Sequence, residues 1–265
     1  MTVAVAAHAN TTALPGSTSY AVNLPASISA GDLLVVWICT NNCAVTGTAT
    51  GWTALAGATT SSTNADLYCF YKTASGSEGA TATWTIAFSG SQIVSLAARV
   101  TGWAAIEASH TNTGSGSSPS APTDSITTLT DNALVLGVEG SALFIAGAGT
   151  TATEPSGWTE YEDANAASNF RHASMAGNLQ ASHGSVTGLW SVSTGGDWAV
   201  SLLSISAAGV AGQTTTGRLT LGIGGTAAMS VVQVTPPAVS RNRVLNVDLT
   251  VTQYRDMSIY VTGGD

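Results

Sequence analysis

Along most of the chain, apolar residues come in segments of four to nine, rich in Val, Ile, Leu, Thr, Tyr and Trp, between clusters of Gly, Ser, Asn and Pro. Helical periodicity is nearly absent, and the pattern predicts an all-β sandwich or barrel. The first stretch of strands is predicted at Thr2–Ala7, Ser19–Val22, Leu33–Cys39, Thr53–Ala58, Ala65–Thr73, Ala82–Phe88 and Gln92–Thr101. A second follows at Ile106–His110, Ser125–Thr127, Ala133–Glu139, Thr159–Asp163, Arg171–Gln180, Val186–Ser191 and Trp198–Ile205. Trp84, Ile86 and Phe88 alternate with Thr83, Thr85 and Ala87, the mark of a strand with one buried face. Leu67, Cys69 and Tyr71 alternate with Tyr68, Phe70 and Lys72, so that strand is covered on both faces or carries one face into an interface.

The two stretches repeat one another. Gly31-Asp32-Leu33-Leu34-Val35-Val36 answers to Asp131-Asn132-Ala133-Leu134-Val135-Leu136, 100 positions later. Gly51-Trp52-Thr53 returns as Gly157-Trp158-Thr159, Trp84 as Trp190, and Val94-Ser95-Leu96 as Val200-Ser201-Leu202, each 106 positions later. A unit of this size is a fold-sized repeat. Thr111–Pro122, which is polar and Gly/Ser-rich, reads as a link between halves at about 1–110 and 123–206. The expected fold is an antiparallel, jelly-roll-like β-sandwich over 1–206, built from two similar halves that each need the other to bury an apolar face. Residues 207–216 read as a linker. A small C-terminal β domain is expected at 217–265, where Leu245, Val247, Leu249 and Val251 alternate with polar residues. About fifty residues are marginal in isolation, so this unit is a candidate for docking or oligomerisation.

Composition narrows the function. Only 8% of residues are charged, and seven Trp and six Tyr supply the apolar area that a disordered chain lacks. The net charge is −8, and residues 1–210 carry three basic against twelve acidic side chains. That balance speaks against nucleic acid as a partner. Arg218, Arg241, Arg243 and Arg255 lie in the C-terminal part, either as scattered surface charges or as a docking patch for an acidic protein surface. No charged segment followed by an apolar run opens the sequence, so no secretory signal is expected. No stretch is long enough for a transmembrane helix, so no membrane partner is expected. Cys39 and Cys43 are spaced to close a small loop if oxidised, and Cys69 makes the count odd; a reducing cytoplasm favours free thiols.

Candidate chemistry is sparse. No nucleophile elbow, phosphate-cradling Gly-rich loop or His-Glu-x-x-His motif is present, and His8, His110, His172 and His183 are scattered. No catalytic residue and no cofactor is expected. Glu154, Glu160, Glu162 and Asp163 form the densest acidic group. They read first as a solvated acidic loop, then as a weak calcium or ligand loop, and last as a glycosidase pair. The duplicated tryptophans read as core anchors. Trp37 and Trp103 are not duplicated, which makes them candidates for an exposed or interface role.

The order of a Gly31-Asp32-Leu33-Leu34 strand, a Gly51-Trp52-Thr53 turn and an aromatic strand ending in Lys72-Thr73-Ala74 resembles jelly-roll domains in virion proteins of tailed bacteriophages. The resemblance covers roughly residues 1–206. It implies a non-enzymatic virion protein made in the host cytoplasm. The leading expectation is a decoration (cement) protein on the capsid exterior, bridging subunits of the major capsid protein as a homotrimer, with the C-terminal unit as its contact. The alternative is a tail- or head-fibre adhesin whose sandwich binds a host surface glycan.

Overall fold

A computed structural model describes residues 2–13, 15–61, 64–88, 92–116, 121–143, 150–166 and 171–208. The expected linker past Ala208, the expected C-terminal β domain and its four arginines lie outside the described residues.

The first repeat contains β1 (Ala4–Ala13), β2 (Ser19–Asn23), β3 (Leu33–Thr40), β4 (Val45–Gly47), β5 (Thr53–Ala54), β6 (Thr60–Ser61), β7 (Asp66–Thr73), β8 (Thr81–Ile86) and β9 (Ile93–Thr101), with one 3-10 turn at Ala56–Ala58. The second contains β10 (Trp103–Gly116), β11 (Thr123–Thr128), β12 (Ala133–Leu143), β13 (Ala152–Thr153), β14 (Thr159–Asn165), β15 (Arg171–Gln180), β16 (Gly184–Leu189), β17 (Ser191–Val192) and β18 (Gly196–Ala207). The chain is thus an all-β antiparallel sandwich, as its patterning predicts.

One large sheet runs β1-β9-β3-β7-β5, and the other β10-β18-β12-β15-β14, the same order repeated. Each has a smaller companion: β2-β8-β4 in the first repeat, and the pairs β11-β16 and β13-β17 in the second. Three cores result. Tyr20, Val22, Trp52, Trp84 and Ile86 pack with Leu34, Val36 and Ile38 inside the first repeat. Trp158, Trp190 and Val192 pack with Val135, Val200 and Leu202 inside the second. The third and largest lies between the two large sheets, where Leu33, Val35, Trp37 and Cys39 meet Leu134, Leu136, Val138 and Leu203. Strand β3 is therefore buried at every residue, odd positions facing the shared core and even ones the private core. A strand covered on both faces shows no alternation.

The packing between the large sheets follows a pseudo-twofold axis. Strand β3 lies against β12, β9 against β15, β7 against β18, β1 against β14, and β10 against the Ala56–Ala58 turn. Exchanging the two repeats maps β3–β12 onto itself and β9–β15 onto β7–β18, while the counterpart of β1–β14 is β10 against the turn that follows β5.

The structure corrects the repeat's register. Leu33 pairs with Val100 and Leu134 with Ile205, which offsets of 101 for β3 to β12 and 105 for β9 to β18 satisfy as well as the sequence match does, so the faces of the strands decide. The sequence match at 100 would place Leu34 opposite Leu134, yet Leu34 faces a private core and Leu134 the shared one. A one-residue slip exchanges the faces of a strand. Backbone geometry marks the true register: Gly31 (φ 90) corresponds to Asn132 (φ 58), both in the left-handed region that Gly and Asn tolerate best.

The boundary between repeats also moves. Thr111–Gly116 is not a link: it completes β10 and pairs with Gly196–Ser201 of β18. Its polar composition reflects an edge strand with one wet face. The repeats meet instead at Gly102 (φ 66), whose carbonyl accepts the Ala208 N–H at 2.6 Å. Each half also has a private two-sheet core, besides the shared one it was expected to need.

Candidate functional site

The described part of the molecule concentrates its buried charge along the seam between the repeats and next to it. Strand β15 carries Arg171 and His172 to opposite faces of its sheet, and both are buried. Buried charges are tolerated when paired and hydrogen-bonded.

His172 is fully buried between two carboxylates. Its Nδ1 lies 3.1 Å from Glu139 Oε2 on β12, and its Nε2 contacts Asp163 Oδ1 on β14. The other Glu139 oxygen accepts the Ser141 hydroxyl, and Asp163 Oδ2 accepts the Ala152 N–H of β13 at 3.2 Å. Burial alone would lower the histidine's pKa, but hydrogen bonds and the charges of Asp163 and Glu139 outweigh it and raise the value to about 9. The arrangement holds an imidazolium inside the second repeat. It does not poise a nucleophile, because the Ser141 hydroxyl is directed at Glu139 and not at the imidazole.

A bulge between Glu160 and Glu162 directs Glu162 to a different partner. Across the seam, its two oxygens take His8 Nδ1 and Asn10 Nδ2 of β1, each at 2.8 Å. His8 also packs against Tyr161, with ring centroids 5.9 Å apart. Glu160 is exposed, and its carboxyl is pushed up by partial burial and by Asp163, Glu154 and Glu162. Of the four acidic residues considered for calcium, Glu162 and Asp163 are each held by a histidine on a different element. Among the described residues, no group of three or more His, Cys, Asp or Glu side chains is placed to hold a metal ion.

The other buried cation, Arg171, faces the shared core in the field of Cys39, Asp66 and Asp197. Asp197 also accepts Asn64 Nδ2 at 2.6 Å, so side chains of both repeats meet here. Burial pushes the Cys39 thiol up to about 12. Cys39 and Cys69 line the shared core, Cys43 the first private core, and all three are free. The Cys39–Cys43 loop closure is thus not made, because the two thiols lie on opposite faces of the sheet.

Trp37 is buried rather than exposed, and its Nε1 donates to Ser201 Oγ across the shared core at 3.1 Å. It is an interface residue, but the interface is internal. Trp103 is half-buried at the outer edge of that core, with Nε1 donating to the Gly31 carbonyl at 2.8 Å. Beside it opens a groove of about 270 Å³ lined by Leu55, Tyr71, Trp103, Ile106, Glu107 and Ser109. The Glu107 carboxylate is held by the Leu129 N–H (3.2 Å), the Ser204 hydroxyl (2.9 Å) and the Thr130 hydroxyl.

The duplicated tryptophans are core anchors. Trp52 meets Trp84 edge-on (5.2 Å, 62°), and Trp158 meets Trp190 likewise (5.7 Å, 65°). The remaining histidines are paired as well, His110 with Asp124 at 2.6 Å and His183 with Asp131 at 2.7 Å. The residue type that sequence reading passed over is Glu139. A lone carboxylate inside Ala133-Leu134-Val135-Leu136-Gly137-Val138 is a signal that a buried partner must exist.

The fold and its buried pairs define a duplicated antiparallel β-sandwich braced by internal polar contacts. Comparison with protein-family models, with curated proteins and with solved structures returned no match.

Proposed function

We propose that the chain is a non-enzymatic structural protein of a bacteriophage particle, a decoration (cement) protein that stabilises the head from outside. The observation that carries this reading is the ordered set Gly31-Asp32-Leu33-Leu34, Gly51-Trp52-Thr53 and Lys72-Thr73-Ala74, which resembles virion jelly-roll domains. The positions these residues occupy support it. Gly31 and Gly51 take positive φ at turns, and Trp52 packs on Trp84. Lys72 closes the β7–β8 connection through Glu78 at 3.0 Å. The motif thus belongs to the framework rather than to a reaction. A rigid, weakly charged sandwich suits a part that adds buried area across capsomer seams, as a trimer matching local symmetry. The major capsid protein is then its main partner.

Reconstitution tests it. Heads stripped of the protein and then reloaded with it should retain their DNA to a higher temperature than stripped heads. Equal release temperatures would remove the cement role. The groove beside Trp103 favours a second reading, a fibre adhesin whose aromatic edge stacks on a host glycan. Trp103→Ala should then abolish binding on a glycan array, and absence of binding by the unaltered protein would dismiss this alternative.

A further inference from the structure

We propose that β14 is a charge-held latch: an edge strand fastened to both repeats by histidine–carboxylate pairs, which detaches before the rest of the fold when His172 loses its proton. Strand β14 ends its sheet, so its backbone pairs with β15 alone among the described strands. Beyond that pairing it is held by Asn165 Nδ2 donating to the Thr150 carbonyl at 2.8 Å, by Ala164 and Tyr161 against the shared core, and by its acidic side chains. Asp163 binds His172, which binds Glu139 of β12, and Asp163 also takes the Ala152 N–H of β13. Glu162 binds His8 and Asn10 of β1, in the other repeat.

The duplication isolates the device. In the register set by the strand faces, Thr40 faces Asp66 as Ser141 faces His172, and Ile38 faces Tyr68 as Glu139 faces Ser174. Ile38 and Asp66 thus stand where the second repeat has Glu139 and His172, so the first repeat lacks the pair. The pair is present in one copy only, on an otherwise common scaffold.

Its sign follows from its surroundings. The ionisable groups acting on His172 are Glu139 from β12, with Asp163 and Glu160 from β14. His8 of β1 engages the adjoining Glu162, and Glu154 acts on Glu160. Arg171, Asp66 and Asp197 form the separate cluster on the shared-core side. The partners that contact the imidazole are both carboxylates, so its charged form is the one that fastens β14. The pKa is raised in the folded state from 6.5 to about 9, so the stabilisation is complete below pH 6.5 and is lost as pH rises through 9. Detachment of β14 removes Asp163 but leaves Glu139 of β12 beside the ring, so the closed strand loses only the Asp163 share of that stabilisation, a bias on the order of 10-fold across the window.

Limited proteolysis of the full chain with chymotrypsin, mapped by mass spectrometry at pH 7 and pH 9.5, tests the latch. Each cleavage rate is normalised to a peptide substrate at the same pH. Wild type should be cut first beside Tyr161, on the order of 10-fold faster at pH 9.5 than at pH 7. His172→Gln should be cut there at a rate independent of pH. Should that variant not fold, ¹⁵N imidazole shifts of wild-type His172 decide: a protonated ring at pH 8 supports the latch. A neutral ring at pH 7, a pH-independent wild-type rate, or first cleavage outside β14 would overturn it.

Discussion

Trp37 and Ser201 test how firmly the repeats are joined. The indole N–H of Trp37 on β3 donates to the Ser201 hydroxyl on β18 at 3.1 Å, with both residues buried in the shared core. Ser201→Ala removes the acceptor and leaves a buried donor without a partner, which costs about 1–3 kcal/mol. Trp37→Phe removes the donor and part of the ring, leaving a cavity where relaxation is limited by close packing, at about 2–4 kcal/mol. Once Phe occupies position 37, the serine hydroxyl has little left to lose. The double variant should therefore be less destabilised than the sum of the single ones, with a coupling of about 1 kcal/mol. Urea unfolding followed by fluorescence of the remaining tryptophans, with unchanged m-values, measures all three. Strict additivity would refute the claim that this bond joins the two repeats across their common core.

A Cβ on Gly140 would lie 2.7 Å from Cys39 Sγ, so Gly140→Ala should overpack the shared core by about 1–3 kcal/mol, and adding Cys39→Ala should recover part of that loss in the same unfolding assay. Glu78 is partly buried, which opposes ionisation, but the Ser75 N–H, Lys72 and the Ser75 hydroxyl hold its pKa down to about 2 from 4.5. Its contribution is thus present above pH 4.5 and lost as pH falls through 2; Glu78→Gln should flatten that limb of the pH–stability curve, and an unchanged limb would contradict the pairing. At Gly31 (φ 90), Asn should be tolerated better than Val by about 1 kcal/mol, because Asn132 occupies the corresponding turn; thermal midpoints compare the two.

Much of the architecture was legible in the chain because alternation survives wherever one face is wet. Trp84 and Ile86 are buried while Thr83 and Thr85 are exposed, as their pattern implies, but Phe88, expected on the buried face, lies past the end of β8 and is exposed. Register was not legible, because Leu33–Thr40 and Ala133–Leu143 are buried on both faces and carry no period to align. The motif match at Leu33-Leu34 therefore slipped by one residue, and only the turn residues Gly31 and Asn132 hold the true register. Strand β10 was underestimated for the opposite reason: Thr111–Gly116 is polar enough to read as a link, but its backbone is claimed by β18. The acidic group was legible as a cluster, but its partners were not. Glu139 is remote from it in sequence, and both Glu139 and His172 become its partners through the β12-β15-β14 pairing. Trp37 was singled out because it is not copied, and its partner Ser201 lies across a core that only the packing of the two repeats creates.

The proposed place on the particle is tested most directly by counting the chain on purified heads that lack tails, using quantitative mass spectrometry against the major capsid protein. A decoration protein should remain on tailless heads in numbers that scale with the capsomers. A handful of copies, or loss of the protein together with the tails, would contradict the account.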